Sequence, residues 1–276
     1  MLQNSKEILL QAKRDGYALP APDFIDLNSA RVFVRVAEEL NRPLLLSWAQ
    51  VFESFFPLEE AAAVGRALGE RASVPVVLHL DHGMDLEHVE KALQCGFTSV
   101  MIDASAETIE KNIAVTREAV KLAHAAGATA EAEIGHVGQG ENYVGIAAES
   151  SVYTQPDEAI RFVRETGVDS LAVSIGTVHG IYKKLEKPVL CFDILHTLAA
   201  SLEIPLVLHG GSGTGDENLH RCATEGISKI NIYTDFLTGA MNRINADKPE
   251  NYLAVKRSAD AGMDEVLRHY FKVFSR

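Results

Sequence analysis

Three short stretches of the chain each place a histidine beside a glycine at the end of an apolar run: Leu78-His79-Leu80-Asp81-His82-Gly83, Ile175-Gly176-Thr177-Val178-His179-Gly180 and Leu208-His209-Gly210-Gly211-Ser212-Gly213. Three imidazoles around a zinc ion leave a fourth position open for water or substrate, the pattern of a catalytic rather than a structural site. If the runs are parallel strands of one barrel, His82, His179 and His209 converge at one mouth as a Lewis-acid centre. His79 shares a strand with Asp81 and His82, but alternation sends 79 and 81 to one face and 82 to the other until the strand ends. His82, nearer the mouth, is the expected ligand, and His79 reads as a buried packing residue. Asp81 reads either as an orienter of an imidazole or as an acid or base beside a bound oxygen, and the second reading is preferred. His88, His124, His196, His220 and His269 fall in helical segments and read as surface or satisfied core residues.

A second constellation points to an anion. The run His209-Gly210-Gly211-Ser212-Gly213-Thr214-Gly215 leads from a strand into a helix near Asp216, so backbone amides and a helix N-terminus can face a phosphate. Lys229-Ile230-Asn231-Ile232-Tyr233-Thr234-Asp235 ends the next strand. Barrels frequently bind phosphate between the loops after their seventh and eighth strands.

Eight β-rich runs can carry these motifs: Tyr17 to Ile25, Pro43 to Ala49, Val74 to Leu80, Ser99 to Asp103, Thr129 to Ile134, Ser170 to Ile175, Ile204 to Leu208 and Ser228 to Ile232. Between them lie amphipathic segments such as Leu86 to Cys95, Glu107 to Ala126, Gln155 to Thr166 and Asp216 to Glu225, several ending at glycine. The alternation implies a parallel α/β sheet, and the count of eight implies a (β/α)8 TIM barrel of a single domain, residues 1–276, with active residues at strand C-termini. A doubly wound open sheet is the alternative.

With 276 residues, 26 basic against 38 acidic side chains and a net charge of −12, the chain is an ordinary globular protein whose main partner is neither nucleic acid nor an anionic membrane. Cys95, Cys191 and Cys222 are odd in number and lack CxxC spacing, which argues for a reducing compartment. No run approaches the roughly 18 apolar residues of a spanning helix, so a cytoplasmic protein is expected.

The chain resembles the class II, metal-dependent ketose-bisphosphate aldolases, the fructose- and tagatose-1,6-bisphosphate aldolase family. The matching residues are 79–83, Met101-Ile102-Asp103-Ala104-Ser105, Glu131-Ala132-Glu133-Ile134-Gly135, Tyr153-Thr154-Gln155-Pro156, Gly176 to Lys183, His209 to Gly213 and Lys229 to Asp235. The resemblance implies zinc on His82, His179 and His209, with Asp103 and Glu133 available to a more buried metal pose. It implies that Asp81 transfers the proton at the C4 oxygen, and that Glu141, on a lid from Gly138 to Val152, takes the proton from C3 of dihydroxyacetone phosphate. The phosphate then falls to Gly180, Gly210, Gly211, Ser212, Asn231, Ile232, Tyr233 and Thr234, with a monovalent cation, Na+ or K+, nearby. Zinc would stabilise the enediolate left when the C3–C4 bond breaks, with no Schiff-base lysine.

The chain departs from the family pattern at Pro20-Ala21-Pro22-Asp23, where Phe-Asn is usual, at Leu46-Ser47-Trp48-Ala49-Gln50, around Gly138 to Asn142, and at Phe236-Leu237-Thr238, where a basic residue is missing. These changes spare the dihydroxyacetone phosphate half and cluster where the aldehyde would sit. The expected substrate is therefore a sugar phosphate with an altered aldehyde preference. A sugar-phosphate isomerase and a silent binding subunit are the alternatives. A homodimer or homotetramer, with a noncatalytic companion subunit in some relatives, is the implied assembly.

Overall fold

The computed structural model describes residues 1–135, 153–177 and 188–276. Its eight strands are β1 (Leu19–Pro22), β2 (Leu44–Ala49), β3 (Val76–Gly83), β4 (Ser99–Ile102), β5 (Thr129–Ile134), β6 (Ser170–Val173), β7 (Leu206–Leu208) and β8 (Ile227–Ile232). All pair in parallel in the order β1-β8-β7-β6-β5-β4-β3-β2. A single bridge between Asp23 and Ser47, with Phe24 N donating to Ser47 O at 2.9 Å, joins the two ends. The sheet is therefore a (β/α)8 barrel, not the open doubly wound alternative. The eight expected runs each contain a strand, although β3 continues three residues past Leu80 and β1 is shorter than its run.

Ten helices are described, of which α1 (Lys6–Asp15) precedes the barrel. The others are α2 (Leu27–Leu40), α3 (Leu58–Arg71), α4 (Leu86–Cys95), α5 (Ile109–Ala125), α6 (Pro156–Thr166), α7 (Phe192–Ser201), α8 (Asp216–Glu225), α9 (Thr234–Asp247) and α10 (Tyr252–Val273). Their boundaries follow local chemistry. Asp85 starts α4 by accepting from His88 N at 2.8 Å, and Gly96 (φ +94°) ends it in the left-handed conformation that L side chains resist.

Strand alternation separates two cores. Outward residues such as Leu78, Leu80, Ile230 and Ile232 pack under the helices in the main apolar cluster. At the N-terminal end of the barrel, Leu19, Ala21, Leu45 and Val77 meet Ile8, Leu9 and Ala12 of α1, which closes that end with apolar contacts. Above this plug the interior turns polar and carries the chemistry. Where β8 begins, Gly226 adopts φ +146°, and a Cβ there would sit 2.7 Å from Ala199 Cβ. Gly226→Ala is expected to destabilise the fold by about 1–3 kcal/mol, lowering Tm by several degrees. Because the corner lies opposite the mouth, kcat of the folded enzyme should be retained, which thermal melts and assays at low temperature check together.

Candidate active site

The site rises in layers from inward-facing strand residues. Lys229 of β8 is fully buried, and its ammonium donates to Glu131 Oε1 (2.8 Å), Glu131 Oε2 (2.9 Å) and His79 Nε2 (3.0 Å), engaging all three of its hydrogens. Burial and the Lys229 charge hold His79 well below the usual imidazole value. The neutral ring thus accepts at Nε2, and its Nδ1–H donates to Ser99 Oγ at 2.9 Å. His79 is more than the packing residue its position suggested: it is a member of a buried polar network. Burial opposes ionisation of Glu131, yet the Lys229 ammonium holds its carboxyl below the ordinary range.

This network orients the two histidines at the mouth. His209 Nε2–H donates to Glu131 Oε1 at 3.1 Å, and His82 Nδ1–H donates to Asp103 Oδ2 at 2.8 Å. Carboxylates on the outer nitrogens fix the tautomers. The inner nitrogens, His209 Nδ1 and His82 Nε2, then face each other 2.7 Å apart. Two lone pairs at that distance require a cation between them, whether proton or metal. Burial lowers the His82 pKa, but Asp81, Asp103 and Glu133 outweigh it and push the ring up to about 10. The same demand for positive charge suits a divalent ion, for which two imidazole nitrogens beside carboxylates are apt donors. Donor atoms of Asp81, His82 and His209 lie within 4.8 Å of one another, as do those of His82, Asp103 and Glu133. The donor set fits a metal ion.

Two consecutive residues, Asp81 and His82, serve this one mouth although alternation should part them. The register of β3 on β4 shifts between Leu80 and Gly83, and His82 takes φ +46°, unusual for a residue with a side chain. The bulge re-aims His82 inward. Asp81 is buried, and its Oδ1 accepts from Asn231 Nδ2 at 2.7 Å. His82, His209 and Lys229 hold its carboxyl below the ordinary value against the cost of burial.

The loops after β7 and β8 meet. Ser212 Oγ accepts from the amides of Tyr233 and Asp235, each at 3.3 Å, and binds the loop after β7 to the N-terminus of α9. Gly211 N donates to Asn231 O at 3.2 Å, and a Cβ at Gly211 would lie 2.8 Å from that oxygen. That amide is thus occupied, while those of Ser212 and Thr234 have no acceptor among the described residues. Gly210, Tyr233 and Thr234 lie on these loops, whereas the Ile232 side chain points outward into the apolar cluster under the helices. His179, Gly180 and Glu141 lie outside the described residues.

Reasoning from sequence missed three interior residues. Glu131 and Lys229 were legible as charges on the inward register of otherwise apolar strands. Asp23 ends β1 with only 8% exposure and an Oδ1 that has no partner among the described residues. Burial and the neighbouring Asp81 raise its pKa well above the ordinary carboxyl value. The helical histidines carry no such chemistry: His88, His124, His196 and His269 pair with surface carboxylates, and His220 with Val273 O.

A parallel barrel with histidines and carboxylates at the C-terminal ends of its strands is the architecture of a metal-dependent barrel enzyme. The family model for class-II fructose-bisphosphate aldolase matches residues 3–276. The D-tagatose-1,6-bisphosphate aldolase subunit GatY of Klebsiella oxytoca is 35% identical over 98% of this chain and 96% of its own. The fructose-bisphosphate aldolase of Helicobacter pylori is 35% identical over 91% and 90%. The crystal structure of the YdjI aldolase from Escherichia coli K12 superposes with a TM-score of 0.89 at 31% identity, over 99% of this chain and 97% of that one. The chain belongs to the class II fructose-bisphosphate aldolase family, and it is a lyase. No helix among the described residues is long and apolar enough to cross a membrane.

Replacing Lys229 with Met leaves Glu131 buried without its cation. The expected loss is about 3–5 kcal/mol of stability, read by denaturant unfolding. The companion Asp103→Asn should fold normally but bind zinc about 10–100-fold more weakly, because it loosens the orientation of His82; titration against a metallochromic chelator measures this.

Proposed function

We propose that the protein catalyses the zinc-dependent, reversible aldol cleavage of a phosphorylated ketose, of the fructose- or tagatose-1,6-bisphosphate type, to dihydroxyacetone phosphate and an aldehyde. The observation that carries this reading is the pair of imidazoles whose outer nitrogens are tied by Asp103 and Glu131, so that the inner ones converge beside Asp81. His82 and His209, with His179, would hold the ion; Asp103 and Glu133 would serve a deeper pose. When bound, the zinc ion supplies Lewis-acid stabilisation of the negative charge that develops on the ketose carbons.

The protein's own groups do the rest. Asp81 transfers the proton at the C4 oxygen, with Asn231 fixing one carboxylate oxygen so that the other faces the substrate. Lys229 is held by Glu131 and His79, which leaves it no role as a Schiff-base nucleophile. The substrate phosphate would lie at Gly180, the Gly210-Gly211-Ser212 loop and Asn231 to Thr234, where two opposed loops and the start of α9 favour an anion. A monovalent cation, Na+ or K+, would sit beside it. Glu141 would exchange the proton at C3 in the condensing direction.

Residues 1–276 act, in this reading, as one cytoplasmic catalytic domain in a homodimer or homotetramer. The relative GatY is named as a subunit, which makes a noncatalytic companion chain part of the proposal.

Zinc-loaded protein is expected to release dihydroxyacetone phosphate from a ketose phosphate panel in a coupled assay. EDTA should abolish release and added zinc restore it; a protein indifferent to EDTA would refute the metal role. Asp81→Ala should keep its zinc, by elemental analysis, and lose about 10²–10⁴-fold in kcat; unchanged turnover removes Asp81 from the mechanism.

A further inference from the structure

The seam of the barrel holds two facing polar side chains whose buried oxygens lack a described partner. The backbones of β1 and β2 pair, among the described residues, at the Asp23–Ser47 bridge, and both side chains are buried at 8% and 0% exposure. Asp23 Oδ1 and Ser47 Oγ have no hydrogen-bond partner among the described residues. Buried polar atoms are almost always paired, and leaving one unpaired is costly. Two such atoms on facing strands mark a place where a ligand supplies the partner.

Asp23 lies within the electrostatic reach of Asp81, His82 and Tyr233, so it faces the same mouth as the metal cluster. The anion loops belong to β7 and β8, and β1 and β2 are the next staves round the barrel. A substrate anchored on those loops and reacting at Asp81 would extend its far end to Asp23 and Ser47.

Among the described residues, the charge on that side disfavours an anion. The loops following β1 to β4, residues 23–26, 50–57, 84–85 and 103–108, contain Asp23, Asp26, Glu53, Asp85, Asp103 and Glu107 but no Lys or Arg. Lys91 of α4 reaches this rim already paired with Glu53 (3.6 Å) and Glu59 (2.8 Å). Lys229, the cation below, has every ammonium hydrogen engaged. Exposed Val51, Phe55 and Met84 complete the rim. Carboxyl and hydroxyl oxygens suit the hydroxyl groups of a sugar chain, whereas a second phosphate would meet acids and no uncommitted cation among the described residues of these loops.

We propose that Asp23, with Ser47 beside it, is the specificity-determining group of the site: it binds hydroxyls of the aldehyde half and selects ketose 1-phosphates whose far end is uncharged over ketose bisphosphates. The proposal rests on the aldolase reading above. It assigns Asp23 a positioning role and leaves the proton chemistry to Asp81.

The test uses condensation with dihydroxyacetone phosphate, which avoids choosing a ketose stereochemistry. Zinc-loaded wild type is offered D- or L-glyceraldehyde and, separately, glyceraldehyde 3-phosphate, with consumption of dihydroxyacetone phosphate as the readout. The expected kcat/KM favours an unphosphorylated aldehyde by at least about 10-fold, the scale of one unfavourable charged contact in a partly desolvated site. The near-isosteric Asp23→Asn should narrow that ratio, mainly by lowering KM for glyceraldehyde 3-phosphate. A merely structural Asp23 would lower both rates together and leave the ratio fixed, which overturns the proposal. Preference of the wild type for the phosphorylated aldehyde overturns it too, while the aldolase reading stands. Failure to consume dihydroxyacetone phosphate with any aldehyde sinks both.

Discussion

The buried ion pair between Lys229 and Glu131 is the interaction on which the active end of this barrel depends. An isolated carboxylate or ammonium in a protein interior is strongly disfavoured, and a pair survives there only when its remaining hydrogen-bonding capacity is met. Here His79 takes the third ammonium hydrogen and His209 donates to the carboxylate, so the charges are balanced and directed at once. The direction matters more than the energy. Because Glu131 takes the outer nitrogen of His209, only the inner one can turn to a metal, and a tautomer that would otherwise fluctuate is fixed.

Above that floor, the geometry depends on one strained residue. A regular β3 would present Val77, His79 and Asp81 to the interior and turn His82 toward the helices. The register shift before Gly83 and the left-handed backbone of His82 bring two neighbouring side chains to one mouth. Such a conformation costs on the order of 1–3 kcal/mol and persists where surrounding contacts over-determine it. Asp103 supplies one of those contacts from the adjacent strand, holding His82 Nδ1 at 2.8 Å. Strain and hydrogen bond together bring a carboxylate and an imidazole in consecutive positions to one mouth, an arrangement that a regular strand does not permit.

The fold was legible because its signals are periodic. Apolar runs of strand length, helical segments stopped by glycine and a count of eight lead directly to a barrel, and polar residues at strand ends mark its mouth. His82 and His209 were legible for the same reason, since each follows an apolar run. What stayed hidden depends on which face a residue takes and on what lies opposite it. Lys229 and Glu131 are 98 positions apart, and nothing local announces that they pair. His79 read as packing because its partners, Ser99 and Lys229, come from other strands. Asp23 was noticed only as a departure from the family pattern. Its significance lies in the absence of a described partner for Oδ1, a property of three-dimensional surroundings alone.

These observations explain how one half of such a site can vary while the other stays fixed. His82, His209, Glu131 and Lys229 constrain one another through shared hydrogen bonds, so a change at any of them misplaces the rest. Asp23 and Ser47 share a backbone bridge at the seam but make no described side-chain bond into that network. A substitution there leaves in place the hydrogen bonds that orient His82 and His209. On the aldolase reading, the hydrogen-bonded residues over the buried pair serve the reaction, and Asp23 and Ser47 at the closing strands, which share its field but none of its described hydrogen bonds, can differ from chain to chain.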